Sequence, residues 1–399
     1  RTSGTLRGLA YPIIVRAAGE PSAKPVRSPE RAGLLEQGGH QMRKLLAAVG
    51  ALVPVLVGPA PSMATIRATN ATAVPVGKGC GPGSIVVAQG AEFVNGPGPG
   101  SVMCYPAGST GDVVPAERFT KAMDGPCASA FDALGDLWVC DGNNTLVEYP
   151  KAQLSQTGPV PSVVIEPDAG LGSPAAPYDI TFDRSGDLWL TNNSTDTVTE
   201  YARDQLVKSG SPTPRTTISY TGLQQPGTLR FDPSGDLWVS TYISLLEFAK
   251  AQLGKPSPAP TVVLSSGTWN WSTCNGAFMS LASPRGTIAF DPHGDLWYTC
   301  FALGTVVEFT KAQLARSGDP VPHITISSNL GGLPGGTIDA PSGLVFGSSG
   351  DAWVSNSGNN SVVEFAKDQL AESGSPVPVR VVVGPRTGLK GPADVQITP

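Results

Sequence analysis

The chain has 399 residues, of which 40% are hydrophobic and only 15% are charged, and its formal net charge is −5. Because no run of lysine or arginine follows the N-terminal region, composition excludes nucleic acid from the expected partners. The 48 glycines and 38 prolines stand at intervals between short apolar runs, which is typical of an all-β protein with many turns.

A secretory signal peptide is predicted at residues 42–64. The segment begins with Arg43 and Lys44, continues with an apolar stretch from Leu45 to Val57, and ends on small residues at Ala64. A membrane anchor is the alternative, but a span needs roughly 20 apolar residues. We expect residues 1–41 to be an upstream extension, residues 65–79 to be a linker, and the mature protein to be secreted or in the cell envelope without a membrane span.

A unit of strands repeats along residues 126–365. Each copy contains a β run ending in Phe-Asp or its equivalent, then Gly-Asp-Leu-Trp or a close variant, then a run ending in Glu and an aromatic residue, as in "PGTLRFDPSGDLWVSTYISLLEF" at 226–248. A KAQL or KDQL step and a fourth apolar run follow. Four short strands repeating every ~40–50 residues predict a β-propeller, here over residues 80–399.

The two ends of this region predict the number of blades. The last segment, "GPADVQITP" from residue 391, matches only the opening strand of a unit, whereas residues 83–105 supply the later strands without that opening strand. A blade built from both termini leaves no open edge in the ring. The sequence therefore predicts an all-β, six-bladed propeller of four-stranded blades.

The pattern Pro-x-x-(Ile/Leu)-x-Phe-Asp-x-x-Gly-Asp-Leu-Trp-Val-x-Asn resembles NHL-type six-bladed propellers. It is also similar to the wider group that contains streptogramin lyases and gluconolactonase-like calcium enzymes, and it covers nearly all of residues 80–399. In the gluconolactonase-like enzymes, Asp and Asn at comparable strand ends hold calcium, which polarises a lactone carbonyl. The resemblance implies the fold, whereas activity has to be argued from the site.

Residues that occur in every unit are interpreted as scaffold. The Gly and Asp residues of "DPSGD" are expected to form the hairpin after the first strand, so Asp232 and Asp236 are predicted to bind turn backbone. The repeated Trp is predicted to fill the space between neighbouring sheets, and the repeated Glu to close the third strand. These residues are Trp138, Trp189, Trp238, Trp297 and Trp353, with Glu148, Glu200, Glu247, Glu308 and Glu364.

Positions that differ between units are the candidates for a site at the opposite, top face. One set lies three residues after the Trp position: Gln89, Asp141, Asn192, Thr241, Cys300 and Asn356. The other lies three residues before the Phe of Phe-Asp: Ala128, Asp179, Thr228, Thr287, Gly343 and Asp394. Asp141, Asp179, Asn192, Asn356 and Asp394 offer oxygen ligands that suit calcium or magnesium. Gln89, Thr228 and Thr241 are predicted to contact a ligand; the alternative is that these polar groups cap strand ends.

The two activities of the resembling enzymes find little support in the residues. Streptogramin-type lyases use a top-face His as base, but the two histidines that follow the signal peptide, His293 and His323, are predicted in a bottom hairpin and an outer strand. The inner-strand Glu of the gluconolactonase-like enzymes also has no counterpart. Whether the protein is an enzyme is left open at this point.

An aromatic insertion, "SSGTWNWSTCNGAFMSLAS" at 265–283, precedes the first strand of one unit. It carries Trp269, Trp271 and Phe278, which are predicted to contact carbohydrate or peptide through stacking and apolar contact. A structural plug over the channel is the alternative.

Six cysteines follow the signal peptide, an even number that suits an oxidising compartment. Cys127 and Cys140 are predicted to pair within one hairpin. Cys274 is predicted to pair with Cys300 and so to pin the insertion, which leaves Cys80 to pair with Cys104.

The sequence therefore favours an exported binding module, expected to be monomeric, that holds a small ligand, glycan or protein at a top-face central pocket. A calcium- or magnesium-dependent hydrolase or lyase is the second hypothesis. A purely structural envelope protein is the third.

Overall fold

The computed structural model describes residues 79–90, 100–167, 177–255, 257–265, 274, 286–329 and 336–399. The predicted upstream extension at 1–41, the signal peptide at 42–64 and the linker up to residue 78 lie outside the described residues. So do Trp269, Trp271 and Phe278 of the aromatic insertion. Within the described part of the chain, no helix is both long and apolar enough to cross a membrane.

The described chain forms six antiparallel sheets of four strands each, as the repeat predicted. Blade 1 contains β4 (Pro126–Phe131), β5 (Leu137–Asp141), β6 (Thr145–Tyr149) and β7 (Val163–Ile165). Blade 2 contains β8 (Pro177–Phe182), β9 (Leu188–Asn192), β10 (Thr197–Tyr201) and β11 (Thr216–Ser219). Blade 3 contains β12 (Leu229–Phe231), β13 (Leu237–Ser240), β14 (Ser244–Phe248) and β15 (Val262–Ser265).

Blade 4 contains β16 (Ile288–Phe290), β17 (Leu296–Cys300), β18 (Thr305–Phe309) and β19 (Ile324–Ser327). Blade 5 contains β20 (Pro341–Phe346), β21 (Ala352–Asn356), β22 (Ser361–Phe365) and β23 (Arg380–Val382). Blade 6 joins the C-terminal β24 (Pro392–Ile397) to the N-terminal β1 (Ile85–Gln89), β2 (Ser101–Tyr105) and β3 (Glu117–Phe119). The predicted composite blade is therefore confirmed.

A single helical turn follows the third strand of blades 1 to 5. These turns span Lys151–Leu154 and Lys311–Leu314 as α-helix, and Arg203–Leu206, Lys250–Gln252 and Lys367–Leu370 as 3₁₀-helix. The first residue of each turn donates its backbone N–H to an Asp in the first hairpin of the same blade, as Lys250 does to Asp236. The KAQL and KDQL motifs thus tie the third strand back to the first hairpin.

The first strands of the blades form a closed ring. β4 packs beside β8, β8 beside β12, β12 beside β16, β16 beside β20, β20 beside β24, and β24 beside β4. The ring thus returns to its starting blade through the strand supplied by the C-terminus. This closure places the starts of all six inner strands around one central channel.

The repeated Trp residues pack between blades, which confirms their predicted role. Trp189 in blade 2 meets Phe231 of blade 3 edge to face, with ring centroids 5.9 Å apart. The same contact joins Trp138 to Phe182, Trp238 to Phe290 and Trp297 to Phe346. Because Trp and Phe recur at fixed positions, blades 1 to 4 each present the same apolar surface to the next blade.

Candidate functional site

The hairpin carboxylates lie at the bottom face and bind backbone. The Oδ1 atom of Asp232 accepts hydrogen bonds from the N–H of Ser234 at 2.8 Å and of Asp236 at 2.9 Å. The Oδ1 atom of Asp236 accepts from the N–H of Lys250 at 2.7 Å. Gly235 between them has a φ of 90°, a conformation that favours glycine. The DPSGD motif is therefore a turn.

A pocket lies at the other end of the inner strands, around the top of the channel. Its space measures about 480 Å³ when the open solvent above it is included. Its wall is formed by the starts of inner strands and by two residues that follow second strands: Cys127, Ala128, Tyr178, Asp179, Thr228, Thr287, Phe301, Ser342, Ser357, Pro392, Ala393 and Asp394. Five of the six predicted positions before the Phe line this pocket; the sixth, Gly343, does not.

Two carboxylates in the wall, Asp179 and Asp394, occupy equivalent positions in blades 2 and 6. Each is almost fully buried, with 1% and 2% of its surface exposed. The Oδ2 atom of Asp179 accepts from the N–H of Leu229 at 3.0 Å. The Oδ2 atom of Asp394 accepts from the N–H of Ser129 at 2.9 Å. Both carboxylates therefore cross to the inner strand of the following blade.

The environments of the two carboxylates differ in charge. The Arg230 guanidinium lies 2.5 Å from Asp179 Oδ2, so Asp179 belongs to a buried ion pair. Burial raises the pKa of Asp179 to about 6; Arg230 opposes this rise and the charge of Asp394 adds to it. Asp394 instead has neutral partners, the Ser129 hydroxyl at 2.8 Å and the Gln396 amide at 3.2 Å.

The threonines of blades 3 and 4 make the same crossing with hydroxyl groups. Thr228 Oγ1 accepts from the N–H of Ile288 at 3.2 Å and donates to the carbonyl of Gly286. Thr287 Oγ1 donates to the carbonyl of Ser342. Four of the six residues before the Phe therefore join neighbouring blades through their side chains and also line the pocket: Asp179, Thr228, Thr287 and Asp394.

The predicted residues that follow the second strands are used differently. None of Gln89, Asp141, Asn192, Thr241 and Asn356 lines the pocket. Asp141 Oδ1 accepts from the N–H groups of Asp124 at 2.8 Å and Gly125 at 3.0 Å, in the connector that enters blade 1. This carboxylate therefore fixes a connector.

Asn356, Thr241 and Gln89 likewise bond the loops beside them. The Asn356 amide donates to the Ser361 hydroxyl at 3.1 Å, and Thr241 pairs with Ser244 at 2.8 Å. Gln89 Oε1 accepts from the N–H of Lys390 at 2.8 Å. These contacts match the strand-capping alternative.

Asn192 differs from these residues in one atom. Its amide donates to the Thr199 hydroxyl at 3.1 Å, while its buried Oδ1 has no hydrogen-bond partner among the described residues. Asn192 therefore caps its own hairpin through the NH₂ group of its amide.

The five predicted metal donors are not brought together. Only Asp179 and Asp394 line the pocket, and Arg230 already provides a cation at Asp179. In the described part of the chain, Asp183, Asp187 and Glu200 form a carboxylate group compact enough to hold an ion. That group is in blade 2, where Arg215 pairs with both Asp187 and Glu200. The residues at the pocket therefore do not fit a calcium or magnesium centre.

Three disulfides pair the cysteines as predicted: Cys80 with Cys104, Cys127 with Cys140, and Cys274 with Cys300. Cys127 and Phe301, the residue after Cys300, both line the pocket. The carbonyl of Cys274 also accepts from the N–H of Ala302 at 2.9 Å. Cys274 is therefore held beside the pocket.

Sequence reasoning missed Arg230 and the aromatic part of the wall. Arg230 stands two residues after Thr228 in the inner strand, and residues two apart lie on the same face of a strand. The equivalent positions are Ala130, Thr181, Ala289, Val345 and Gln396, so this position also varies between blades. That variation was the available signal for Arg230. Tyr178 and Phe301 lie one residue away from the predicted positions Asp179 and Cys300. The comparison of equivalent positions therefore did not include them.

The chain matches no protein-family model and no curated protein. Among solved structures it is similar to a protein of unknown function from Bacteroides caccae, with a TM-score of 0.52 and 10% identity over 79% of this chain and 98% of that chain. A virginiamycin B lyase from Staphylococcus aureus matches with a TM-score of 0.42 and 13% identity, over 64% of this chain and 70% of that one. A Bacteroides uniformis protein provisionally described as a 6-phosphogluconolactonase matches with a TM-score of 0.49 and 12% identity, over 78% and 84%. At these identities the likeness shows the fold alone.

Proposed function

We propose that this chain is an exported propeller that binds a small ligand in the pocket at the top of its central channel. The observation that supports the proposal is the pocket itself, a partly open hollow at the mouth of the channel whose wall has carboxylates, hydroxyls and aromatic rings. Small-molecule sites are typically concave, largely apolar and supplied with a few placed polar groups. The three disulfides and the predicted signal peptide support export.

The wall combines groups that fix orientation with groups that provide contact area. Asp394 can accept hydrogen bonds from a ligand, and Ala128, Pro392 and Phe301 offer apolar contact. The inner strands are tied to one another through Asp179, Thr228 and Asp394, so these groups keep their places before a ligand arrives. A preformed site loses less conformational freedom on binding.

A ligand-observed NMR screen of small amines, sugars, amino acids and short peptides tests this proposal. Ala393 is partly exposed in the wall, so Ala393→Trp should fill the mouth of the pocket and abolish binding. Ala152→Trp, on the exposed helical turn of blade 1, is the matched control and should bind as the wild type does. Ligands that bind Ala393→Trp and wild type equally would contradict a site in this pocket.

A second candidate is a hydrolase or lyase that works at the same pocket. One observation favours it: burial raises the pKa of Asp179 to about 6, so this carboxyl can exchange a proton near neutral pH. Lactone hydrolysis measured from pH 4 to 8 tests this candidate, with Asp179→Asn as the variant expected to be inactive.

A parallel titration with calcium, followed by thermal melting, tests the predicted metal. Turnover that Asp179→Asn leaves unchanged would contradict the acid–base role, and a melting shift at millimolar calcium would restore the metal hypothesis.

A further inference from the structure

The charged side chains in the wall of the pocket all have the same sign. Asp179 and Asp394 line the pocket, and no lysine, arginine or histidine does so in the part of the chain that the structure describes. Their negative potential is concentrated by low-dielectric surroundings, because both carboxylates are nearly fully buried. The acidic residues of the described wall therefore disfavour an anionic ligand.

Only one of the two charges is compensated. Arg230 pairs with Asp179 at 2.5 Å, so that pair is close to neutral. Among the described residues, Asp394 takes part in no ion pair, and its hydrogen-bond donors, Ser129 and Gln396, are neutral. Among the described residues of the wall, Asp394 is therefore the acidic group without a paired cation.

Asp394 also has an oxygen with capacity for another donor. Its Oδ2 atom accepts from the N–H and the hydroxyl of Ser129 at 2.9 and 2.8 Å. Among the described residues, its Oδ1 atom accepts only from the amide of Gln396, at 3.4 Å. A carboxylate oxygen can accept two hydrogen bonds, so Oδ1 can accept a strong, charge-assisted bond from a cation in the pocket.

The rest of the wall fits an organic cation better than a metal ion. Calcium takes six to eight oxygen ligands, whereas this wall has apolar residues at Ala128, Pro392 and Ala393. Two aromatic residues, Tyr178 and Phe301, line the same space and add apolar area to the wall. An ammonium group attached to an apolar body matches both the charge and the wall.

We infer that the ligand of this pocket is a small organic ammonium compound, whose N–H group donates to Asp394 Oδ1 while its apolar part contacts Phe301 and Pro392. The inference rests on the proposed binding function and names the class of ligand for that same pocket.

Three probes of one shape test this inference. 3,3-Dimethylbutylamine, 3,3-dimethylbutan-1-ol and 3,3-dimethylbutanoate share an apolar body and carry a positive, a neutral and a negative head. Titration calorimetry should show the amine binding about tenfold to hundredfold more tightly than the alcohol, with no binding of the acid. Binding of the alcohol or the acid as tight as that of the amine would overturn the inference, as would no binding of the amine at millimolar concentration.

Charge variants at Ala393 repeat the test without touching the fold contacts of Asp394. Ala393→Glu should tighten amine binding, and Ala393→Lys should weaken it by about tenfold or more, through charge alone. Ala152→Lys, far from the wall on an exposed turn, should change neither. Equal weakening by Glu and Lys would mean a steric effect only and would overturn the inference.

The outcomes separate this inference from the binding function. If the alcohol binds as well as the amine and Ala393→Trp blocks both, the ligand class is wrong and the pocket still binds ligands. If the screen finds no ligand that Ala393→Trp blocks, the binding function itself fails.

Discussion

The carboxylates at the two ends of the inner strands have opposite tasks. At the bottom face, Asp232 and Asp236 bind the backbone of their own blade and recur around the ring. At the top face, Asp179 and Asp394 cross to the next blade, line a pocket and have no equivalent carboxylate in the other four blades. The comparison teaches that, in a repeat protein, a residue that recurs serves the unit and one that does not can serve a single site.

The largest expected effect concerns the ion pair at the top face. Arg230→Met leaves the buried Asp179 carboxylate without its cation, so we expect the free energy of unfolding at pH 7.5 to fall by about 3–5 kcal/mol. The pKa of Asp179 should rise further, because its remaining surroundings disfavour the charge. Urea denaturation at pH 7.5 and pH 5 measures this; the loss should be smaller at pH 5, where Asp179 is protonated.

The double variant Arg230→Met with Asp179→Asn serves as the control. It removes both charges, so it should be more stable than Arg230→Met alone at pH 7.5. Equal losses in the single and double variants, independent of pH, would show that packing and not charge explains the effect.

A smaller effect is expected at the bottom face. Asp232→Ala removes the acceptor of two backbone N–H groups, so we expect a loss of about 1 kcal/mol, measured by urea denaturation, and no change in ligand binding. A change in ligand affinity without a change in stability would contradict the division between the two faces.

Blade 5 offers the reverse substitution as a matched control. It has Gly347 where blade 3 has Asp232. A Cβ added at Gly347 would meet Ser349 Oγ at 3.7 Å and the Asp351 carbonyl at 3.8 Å, which are ordinary contacts. Gly347→Asp should therefore add the missing turn bonds and increase stability by up to about 1 kcal/mol.

The smallest effect separates two repeated glutamates. Glu200 in blade 2 pairs with Arg215, whereas Glu247 in blade 3 has no ion-pair partner among the described residues. Burial, with Asp236 and Asp232 nearby, raises the pKa of Glu247 to about 7. The folded state therefore binds a proton more tightly than the unfolded state, and its stability decreases as pH rises from about 4.5 to 7.

Glu247→Gln removes this dependence. The variant should melt at a temperature equal to or above that of the wild type at pH 8 and should lose the advantage at pH 4.5. Glu200→Gln should instead melt lower at pH 8, because Arg215 loses one of its two carboxylate partners. A lower melting temperature for Glu247→Gln at pH 8 would show that its carboxylate stabilises the fold through a contact outside the described residues.

The sequence predicted the architecture because the cause of the fold is repeated. Trp238 packs on Phe290 as Trp189 packs on Phe231. The residues of one repeat unit therefore indicate how neighbouring blades pack. Asp179 and Asp394 were predicted at the top face because the repeat aligns both of them three residues before the Phe of Phe-Asp or its equivalent. The pairing of cysteines followed from their positions at strand ends.

The arrangement of the site was harder to predict. Asp141 and Asn356 stand at the ends of second strands, about 5 Å further from the channel than the inner strands, so they serve connectors and loops. Sequence spacing gave no sign of this, since both sets end at the same face. The Arg230–Asp179 pair forms because the long Arg230 side chain reaches from blade 3 to blade 2. The sequence of one repeat unit does not show such a contact between blades.

The most direct test of the top-face pocket as the binding site is a crystal structure of the protein soaked with 3,3-dimethylbutylamine and with the fragments that bind in solution. We predict ligand density in the pocket, within hydrogen-bond distance of Asp394 Oδ1 and in contact with Phe301. Density confined to the bottom hairpins around Asp232 and Asp236, or to the outer strands, would contradict the account.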